Sequence, residues 1–585
     1  MTAALLLATA IAWPVVLTAA FMVRRLRAAV VVLAPTLALP ALALGFAGEP
    51  ALELQVPGLF TSMRLGVDGI GRAFLLLTAL LWTCAVWHTA SYMRADPRRR
   101  AFTGFLLATG TGNIGLTLVQ DTLSFYLFFA LMTFAAYGLV VHTRTADALR
   151  AGRVYIVMAV LGEALILAGL FGITALATDA TFAAVPDAFA VMTRPGLVAT
   201  VLLLGFGVKA GLVPLHLWLP LAHPVAPTPA SALLSGAMIK AGVLGWLRFV
   251  PAGEMSFSAA GITAMTLGIT ATLAAAVAGT LQRDVKTVLA YSSISQMGFV
   301  ATGFGAALLV PTAAPLMVLA VAVYAVHHAL AKAALFLAIP VAEGSRRPLM
   351  LVTAALPGLV LAGAPFTSGA MAKAALKSAL GGETWPVPVD LLLSVAAVGT
   401  TLLIARYVSL LALAPARIPA TGSNRGGQSS RELTVGLVAP WALLVALSVV
   451  GALWLPWVLA PLGELPLATQ PAYVAGALWP VALGVVLAGG ALLLRRRYPA
   501  WTVPSVPAGD VLAVVERAAR TLHSVGAPLA RIAPGHAAAR GWYWLEARTG
   551  AGLDRAAAAY DRAAAGPALG AIMVILAVLL FLALR

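Results

Sequence analysis

The sequence predicts an all-α polytopic membrane protein with about sixteen transmembrane helices, and three observations support that fold class. Of the 585 residues, 61% are hydrophobic and only 10% are charged. Apolar runs of roughly 20 residues, the length of a helix that crosses a bilayer, recur along the chain. The loops between these runs are short and carry the basic residues. A soluble protein could not bury this much apolar surface in one core.

The composition also excludes several classes of function. The net charge is +17, but the basic residues sit in loops between apolar runs. That pattern is the ordinary topology signal of a membrane protein, and no nucleic-acid-binding motif accompanies it. The single cysteine, Cys84, excludes disulfides, cysteine-ligated iron–sulfur clusters and zinc ribbons within the chain. The chain contains no CxxC or Walker motif. We therefore expect it to bind no cofactor, and we expect any redox chemistry to take place on partner subunits.

The helices group into successive regions. The first four regions are 1–100 (helices one to three), 101–250 (helices four to eight), 251–412 (helices nine to thirteen) and 413–494 (helices fourteen and fifteen). The first helix, 1–22, lacks a basic leading segment, so we interpret it as an uncleaved helix. Helix fourteen is predicted as one span over 433–459.

The composition changes after residue 494. Residues 495–566 mix arginine, acidic and aromatic residues with many alanines, which predicts an amphipathic lateral helix on the cytoplasmic side. A disordered linker is the alternative for this region. Residues 567–585 are apolar again and predict a terminal anchoring helix.

The loop charges predict the orientation. Arginines cluster after odd-numbered helices, for example Arg98–Arg100 and Arg495–Arg497, whereas the intervening loops carry acids such as Glu254 and Glu383. Because basic loops stay on the cytoplasmic side, both termini are predicted to lie outside.

Two apolar runs are interrupted beside a lysine. The first contains Lys209 and is broken by Pro214; the second, 363–373, contains Pro365 and ends at Lys373. Broken helices need a protein-lined or wet cavity for their free backbone groups. Their occurrence in two halves predicts inverted five-helix repeats, helices four to eight and nine to thirteen.

Ionisable residues within predicted spans are costly and usually mark an ion path. These residues are Glu163, Lys209, Lys240, His327, His328, Lys332, Lys373 and Lys377. His328 and Lys332 are four residues apart and therefore share a helix face. Histidine titrates near neutral pH, so a row of such groups can pass protons through intervening water. For one isolated lysine, snorkelling is the simpler interpretation, but four lysines in separate spans favour an ion path.

Other histidines and acids receive simpler interpretations. His327 and His328 are adjacent and point to different faces, with no carboxylate at ligand spacing, so we expect no metal site. His223 lies in a proline-rich turn, where a structural or gating role is favoured. Asp68 is interpreted as a residue that starts helix three.

The amino-acid sequence around the first break resembles that of a known family. KAGLVPLHLWLPLAHPVAPTPASALLSGAMIKAG resembles the antiporter-like subunits of respiratory complex I, Mrp antiporters and membrane-bound hydrogenases, and looks most like the hydrogenase-4 and formate-hydrogenlyase type. QRDVKTVLAYSSISQMGF, HALAKAALFL and GAPFTSGAMAK are similar to motifs of the family's later helices, and MRLGVDGIGRAF to its third. The resemblance covers roughly 60–500.

The resemblance implies proton translocation, with or without exchange for Na⁺, driven by redox subunits in a bacterial or archaeal cytoplasmic membrane. It implies an ion path at the matching residues, which are Lys209, Lys240, Lys286, His328, Lys332 and Lys373. Pro214, His223 and Pro365 would lie at helix breaks or gates. Neither the transported ion, the stoichiometry nor the redox partner follows from the sequence.

One departure concerns the first half. The family's fifth helix normally carries a glutamate that pairs with the lysine matched by Lys209, but Ala130 occupies that position. Glu163 is a hypothetical substitute from the next helix. The alternative is a vestigial first half-channel in a non-pumping structural subunit. A secondary Na⁺/H⁺ antiporter subunit of Mrp type, which needs no redox partner, is a third interpretation, and an inorganic-carbon uptake subunit of the same fold fits less well.

Overall fold

The protein is described from a computed structural model, which covers residues 3–48, 50–54, 63–344, 348–381, 383–413, 433–465, 471–498 and the single positions 506, 507 and 509. Nearly all of the predicted lateral helix (495–566) and the whole anchoring helix (567–585) lie outside the described residues. Both therefore stay predictions.

The described chain is a bundle of α-helices. They are α1 (Ala3–Met22), α2 (Arg27–Leu33), α3 (Leu39–Leu44), α4 (Gly69–Tyr92), α5 (Arg99–Leu118), α6 (Thr122–Val140), α7 (Ala146–Thr174), α8 (Val185–Val191), α9 (Pro195–Ala210), α10 (Leu219–Val225), α11 (Thr228–Leu233), α12 (Ile239–Phe249), α13 (Ser258–Thr280), α14 (Val285–Leu309), α15 (Ala314–Gly344), α16 (Pro348–Ala362), α17 (Ser368–Leu380), α18 (Val389–Leu413), α19 (Val435–Val449), α20 (Gly451–Leu459) and α21 (Pro471–Arg497). A π-helical segment, Leu234–Met238, joins α11 to α12.

Within the described residues, ten helical stretches are long and apolar enough to cross a membrane, and a bent pair would make eleven. This confirms the predicted class, an all-α polytopic membrane protein. The predicted count of about sixteen spans and the inverted repeats stay predictions.

The region predicted as a single helix fourteen, 433–459, differs from that prediction. Helices α19 and α20 occupy it and meet at an angle of 77°. The indole Nε1 of Trp454 donates to the carbonyl of Leu447 at 3.0 Å and ties the two helices together across the bend. Gly451 begins α20 against Ser368, whose Oγ would lie 2.9 Å from an added Cβ. The bend thus lets α20 approach the first turn of α17.

A two-stranded hairpin precedes α4 and was not anticipated from the sequence. Strand β1 (Ala51–Leu54) pairs antiparallel with β2 (Met63–Gly66), with Leu52 opposite Leu65. Strands of four residues are too short to give a clear alternating pattern. The hairpin leads the chain directly into α4.

Asp68 caps the first turn of α4, which confirms its interpretation as a helix-start residue. Its Oδ1 accepts a hydrogen bond from the backbone N–H of Gly71 at 2.7 Å. The guanidinium of Arg248, near the end of α12, also binds both carboxylate oxygens of Asp68. This ion pair fixes the start of α4 against the end of α12.

Helices α13 and α14 pack with their backbones in close approach. A Cβ added at Gly298 of α14 would lie 2.5 Å from the carbonyl oxygen of Gly268 in α13, and the reverse distance is 2.7 Å. Small residues at such crossings let membrane helices gain packing and backbone contacts.

We expect Gly298→Ala to destabilise the protein by about 1–3 kcal/mol, because the added methyl must force the two backbones apart. Thermal unfolding in detergent measures this as a lower midpoint. Gly196→Ala is the matched control, since a Cβ there meets nothing within 4 Å. Equal midpoints for the two variants would contradict the tight crossing.

Candidate functional site

The helices that carry the predicted site residues pack in series. Helix α7 packs against α9, α9 against α12, the π segment and α12 against α15, and α15 against α17. Helix α17 in turn contacts α18 and α21. The buried ionisable side chains therefore follow one another through the bundle.

Lys209 lies at the first position of this series, in the last turn of α9. Its side chain is buried, and Nζ donates to Thr133 Oγ1 at 3.1 Å and to Tyr155 Oη at 3.4 Å. The rings of Phe129, Tyr155 and Trp218 surround it, with centroids 5.7–6.0 Å from Nζ. Helix α9 ends directly afterwards, because Gly211 takes a φ of 80° that favours glycine.

Glu163 of α7 lines the same cavity as Lys209. The cavity has a volume of about 20 Å³, enough for about one water molecule. Glu163 is 5% exposed, and neither carboxylate oxygen has a hydrogen-bond partner among the described residues. Its carboxylate interacts electrostatically with Lys209. Ala130, in contrast, does not line this cavity.

Lys240 and His328 meet at the middle of the series. Lys240 Nζ lies 2.5 Å from His328 Nδ1, and it donates to the carbonyl of Ser235 at 2.7 Å. Both side chains are at most 1% exposed. Ser235 belongs to the π-helical segment, and its hydroxyl lies 2.7 Å from that of Ser293 in α14. π-Helical turns frequently occur at functional sites, where they redirect backbone carbonyls.

Two further lysines lie at or near the start of α14. Lys332 of α15 is fully buried and donates to the carbonyl of Leu289 at 2.8 Å. Lys286 is half-buried and donates to the carbonyl of Ala226 at 2.7 Å. His223 of α10 is buried, stacks on Phe336 at 4.8 Å and lies within electrostatic range of Lys286 and Lys332.

His327 continues the series from α15 to α17. Its Nδ1 lies 3.2 Å from Ser368 Oγ at the start of α17. The ring of Tyr324, one turn earlier, packs edge-on to it at 5.9 Å. Tyr324 donates to Gln296, which donates to Thr400, so a buried polar chain joins α15, α14 and α18. The sequence gave no signal for Gln296 or Thr400.

Lys373 lies beyond this point, on α17. Its Nζ donates to the carbonyls of Ala362, at 2.5 Å, and Leu361, at 3.4 Å, which end α16. Gly363 follows with a φ of 86°, and a Cβ there would lie 3.0 Å from Lys373 Cδ. Lys373 also lines a cavity of about 290 Å³ between α14, α17, α18 and α21.

The two helix breaks differ in where the lysine lies. Pro214 falls between α9 and α10, with Lys209 before the break, whereas Pro365 falls between α16 and α17, with Lys373 after it. The order of lysine and break along the chain therefore differs between the two interruptions. The predicted repeat is not established by the breaks alone.

The side chains of the described site are of types that can exchange protons. The site contains amines, imidazoles, hydroxyls and one buried carboxylate. No group of three or more His, Cys, Asp or Glu side chains that could hold a metal lies within the described ranges.

The comparisons with known proteins now decide the family. The family profile described as NADH:quinone oxidoreductase/Mrp antiporter, TM, matches residues 119–403. Residues 119–403 are therefore similar to this family. The match includes every site residue described above, from Phe129 of the Lys209 pocket to Thr400. The resemblance read from the sequence motifs is thereby confirmed.

Two curated relatives illustrate the similarity. Hydrogenase-4 component B of Escherichia coli (strain K12) is 29% identical over 295 residues, 48% of this chain and 43% of that protein. The NAD(P)H-quinone oxidoreductase chain 4 1 of a Picosynechococcus species is 31% identical over 259 residues, 42% of this chain and 46% of that protein. The chain spans less than half the length of each of these two relatives.

Two solved structures share the fold. The structure of an Mrp complex from a Dietzia species covers 95% of this chain and 63% of its own matched chain, with a TM-score of 0.70 and 21% identity. The membrane-bound sulfane sulfur reductase, an archaeal respiratory membrane complex, covers 93% of this chain and 98% of its own, with a TM-score of 0.67 and 20% identity. At these identities the similarity is one of fold.

Proposed function

We propose that this chain is the proton-translocating membrane subunit of a complex-I-like, redox-driven assembly. One observation carries the proposal, namely a set of buried and half-buried ionisable groups on helices that pack in series. Its members are Glu163, Lys209, Lys240, Lys286, His328, Lys332 and Lys373, with His327 between α15 and α17. Burying so many ionisable groups is costly and is usually explained by an ion pathway.

The proposed mechanism is proton transfer between neighbouring groups, directly or through water. Lys240 and His328 are within hydrogen-bond distance, so a proton can pass between them without an intermediate. Elsewhere hydroxyls such as those of Thr133 and Tyr155 contact the amine and can orient water. Pro214, His223 and Pro365 lie beside the breaks, where small movements would open or close the contacts.

The finer organisation is part of this proposal. We propose about sixteen helices with inverted repeats, both termini outside a bacterial or archaeal cytoplasmic membrane, and a lateral helix on the cytoplasmic face. The partners would be other membrane subunits, peripheral redox subunits that hold all the redox cofactors, and lipid. The two curated relatives, a hydrogenase component and a quinone oxidoreductase chain, support partners of this kind.

Lys209→Ala and Lys373→Ala are each expected to reduce proton uptake to the rate of protein-free vesicles, because each removes one obligatory carrier. The measurement uses the chain, purified with its accompanying membrane subunits, in lipid vesicles with an internal pH-sensitive dye and a K⁺ diffusion potential. Normal uptake in both single variants would overturn the ion-path assignment.

A second candidate is a Na⁺/H⁺ antiporter subunit of Mrp type. The fold similarity to the Mrp complex over 95% of the chain favours it. Proton efflux driven by a Na⁺ gradient in the same vesicles would support it, as would copurification of small Mrp-like subunits instead of nickel–iron or iron–sulfur proteins. A structural, non-pumping subunit would show neither activity.

A further inference from the structure

The use of lysine in this chain is highly selective. Of 38 basic residues, six are lysine and all the others are arginine. Five of the lysines are the ion-path candidates described above, at positions 209, 240, 286, 332 and 373. The sixth is Lys377, to which the family motifs assign no role.

The choice between the two basic residues has a chemical meaning. An arginine stays protonated in proteins, whereas a lysine in a poorly hydrated site can release its proton. Where this chain needs only positive charge, as in its cytoplasmic loops, it has arginine. Lysine at position 377 therefore indicates a need for proton exchange.

Lys377 lies one turn after Lys373 on α17, and both line the cavity of about 290 Å³. The cavity has room for several water molecules. Lys377 Nζ donates to Ser394 Oγ at 2.5 Å and lies 3.0 Å from Asp390 Oδ1. The Lys377 side chain is 27% exposed and that of Asp390 is 71% exposed. The exposed Ser378 and Gly476 also line the cavity, so it opens to the protein surface beside Lys377.

The surface reached in this way is the loop between α17 and α18, which contains Glu383. The loop charges assign that loop to the outside of the membrane. Lys373, Lys377 and Asp390 are therefore ordered from the interior of the bundle towards the outer face.

We propose that Lys377 is the outermost carrier of the ion path, which releases protons from the Lys373 cavity to the outer surface. This inference rests on the proposed function. Lys377 takes a proton from cavity water that has received it from Lys373 and passes one proton to bulk water, so that each transfer leaves the protonation state of the amine unchanged.

The competing interpretation is that Lys377 only anchors α17 to α18 through its ion pair with Asp390. Lys377→Arg separates the two, because arginine keeps the charge and the ion pair but cannot release the proton. Lys377→Met removes both. The vesicle assay described above gives proton uptake, and thermal unfolding of the same samples reports the anchor.

If Lys377 is a proton carrier, Lys377→Arg and Lys377→Met each reduce proton uptake by about tenfold. This is less than the hundredfold or more expected for a proton-transfer group in an enclosed site, because Lys377 is partly exposed. Asp390→Asn reduces uptake by only about twofold, since the exposed ion pair contributes little. The unfolding midpoint of Lys377→Arg stays at that of the unmodified protein.

Wild-type uptake by Lys377→Arg, with Lys373→Ala inactive, would overturn the assignment of Lys377 and leave the proposed function intact. Wild-type uptake by both variants would overturn the proposed function itself. If Lys377→Met does not fold, Lys377→Arg decides alone, because it preserves the contact with Asp390.

Discussion

Replacing Lys240 by methionine is expected to reduce proton uptake to the rate of protein-free vesicles without unfolding the protein. Lys240 contacts His328 directly, and this contact joins helices assigned to the two predicted halves. Methionine has a similar length but cannot carry a proton. The contacting groups are basic or neutral, so losing the amine removes a buried ionisable group together with its hydrogen bonds to the Ser235 carbonyl and to His328. These effects oppose each other, and we expect a stability change within about 1 kcal/mol.

The matched control is Met238→Leu. Met238 lies in the adjoining π-helical segment, is fully buried and carries no proton, and an exchange between methionine and leucine preserves volume. Uptake and unfolding midpoint should both stay near wild type in this variant. Retained uptake in Lys240→Met would mean that protons cross between the halves by another route, and would remove Lys240 from the path.

The sequence was sufficient to predict which ionisable side chains lie inside the helical bundle, because ionisable residues in apolar spans are rare and costly. Lys209, Lys240, His328, Lys332 and Lys373 were all named from this criterion and from the motifs around them. The structure shows that they are buried or line cavities. Their roles in transport stay predictions until measured.

The sequence could not predict which residues contact them. Contacts between distant elements, such as Lys209 with Thr133 and Tyr155, depend on how α6, α7 and α9 pack. Uncharged polar residues such as Gln296 and Thr400 are common in spans and give no signal of their own. The bend between α19 and α20 was missed because its apolar sequence continues without interruption through position 450.

The two ends of the proposed ion path differ in the room that they offer to water. The Lys209 cavity has room for about one water molecule and is surrounded by aromatic rings, whereas the Lys373 cavity is about 290 Å³ and opens to the surface beside Lys377. A proton at Lys209 is therefore stabilised mainly by protein groups, and a proton at Lys373 by water as well. The identity of the counter-charge at Lys209 consequently matters more than it does at Lys373.

Glu163→Gln tests that counter-charge and is expected to have the second large effect. Glu163 lines the Lys209 cavity, and Lys209 is the opposite charge that interacts electrostatically with its buried carboxylate. Its oxygens have no hydrogen-bond partner among the described residues, so we expect removal of the charge to cost less than breaking a directly bonded buried ion pair, which costs about 3–5 kcal/mol. We expect Glu163→Gln to lower the unfolding midpoint accordingly and to reduce proton uptake to the protein-free rate.

A double variant separates stability from transport at this site. Glu163→Gln combined with Lys209→Met leaves no unpaired charge, so it should recover most of the stability lost in each single variant but none of the proton uptake. Asp147→Asn is the control, because Asp147 is an exposed acid in the first turn of the same helix. Glu163→Gln could instead show the same unfolding midpoint and the same proton uptake as the unmodified protein. In that case Thr133 and Tyr155 alone hold Lys209, and the first half-channel is vestigial. Additive losses of stability in the double variant would instead show that the two side chains do not form a pair.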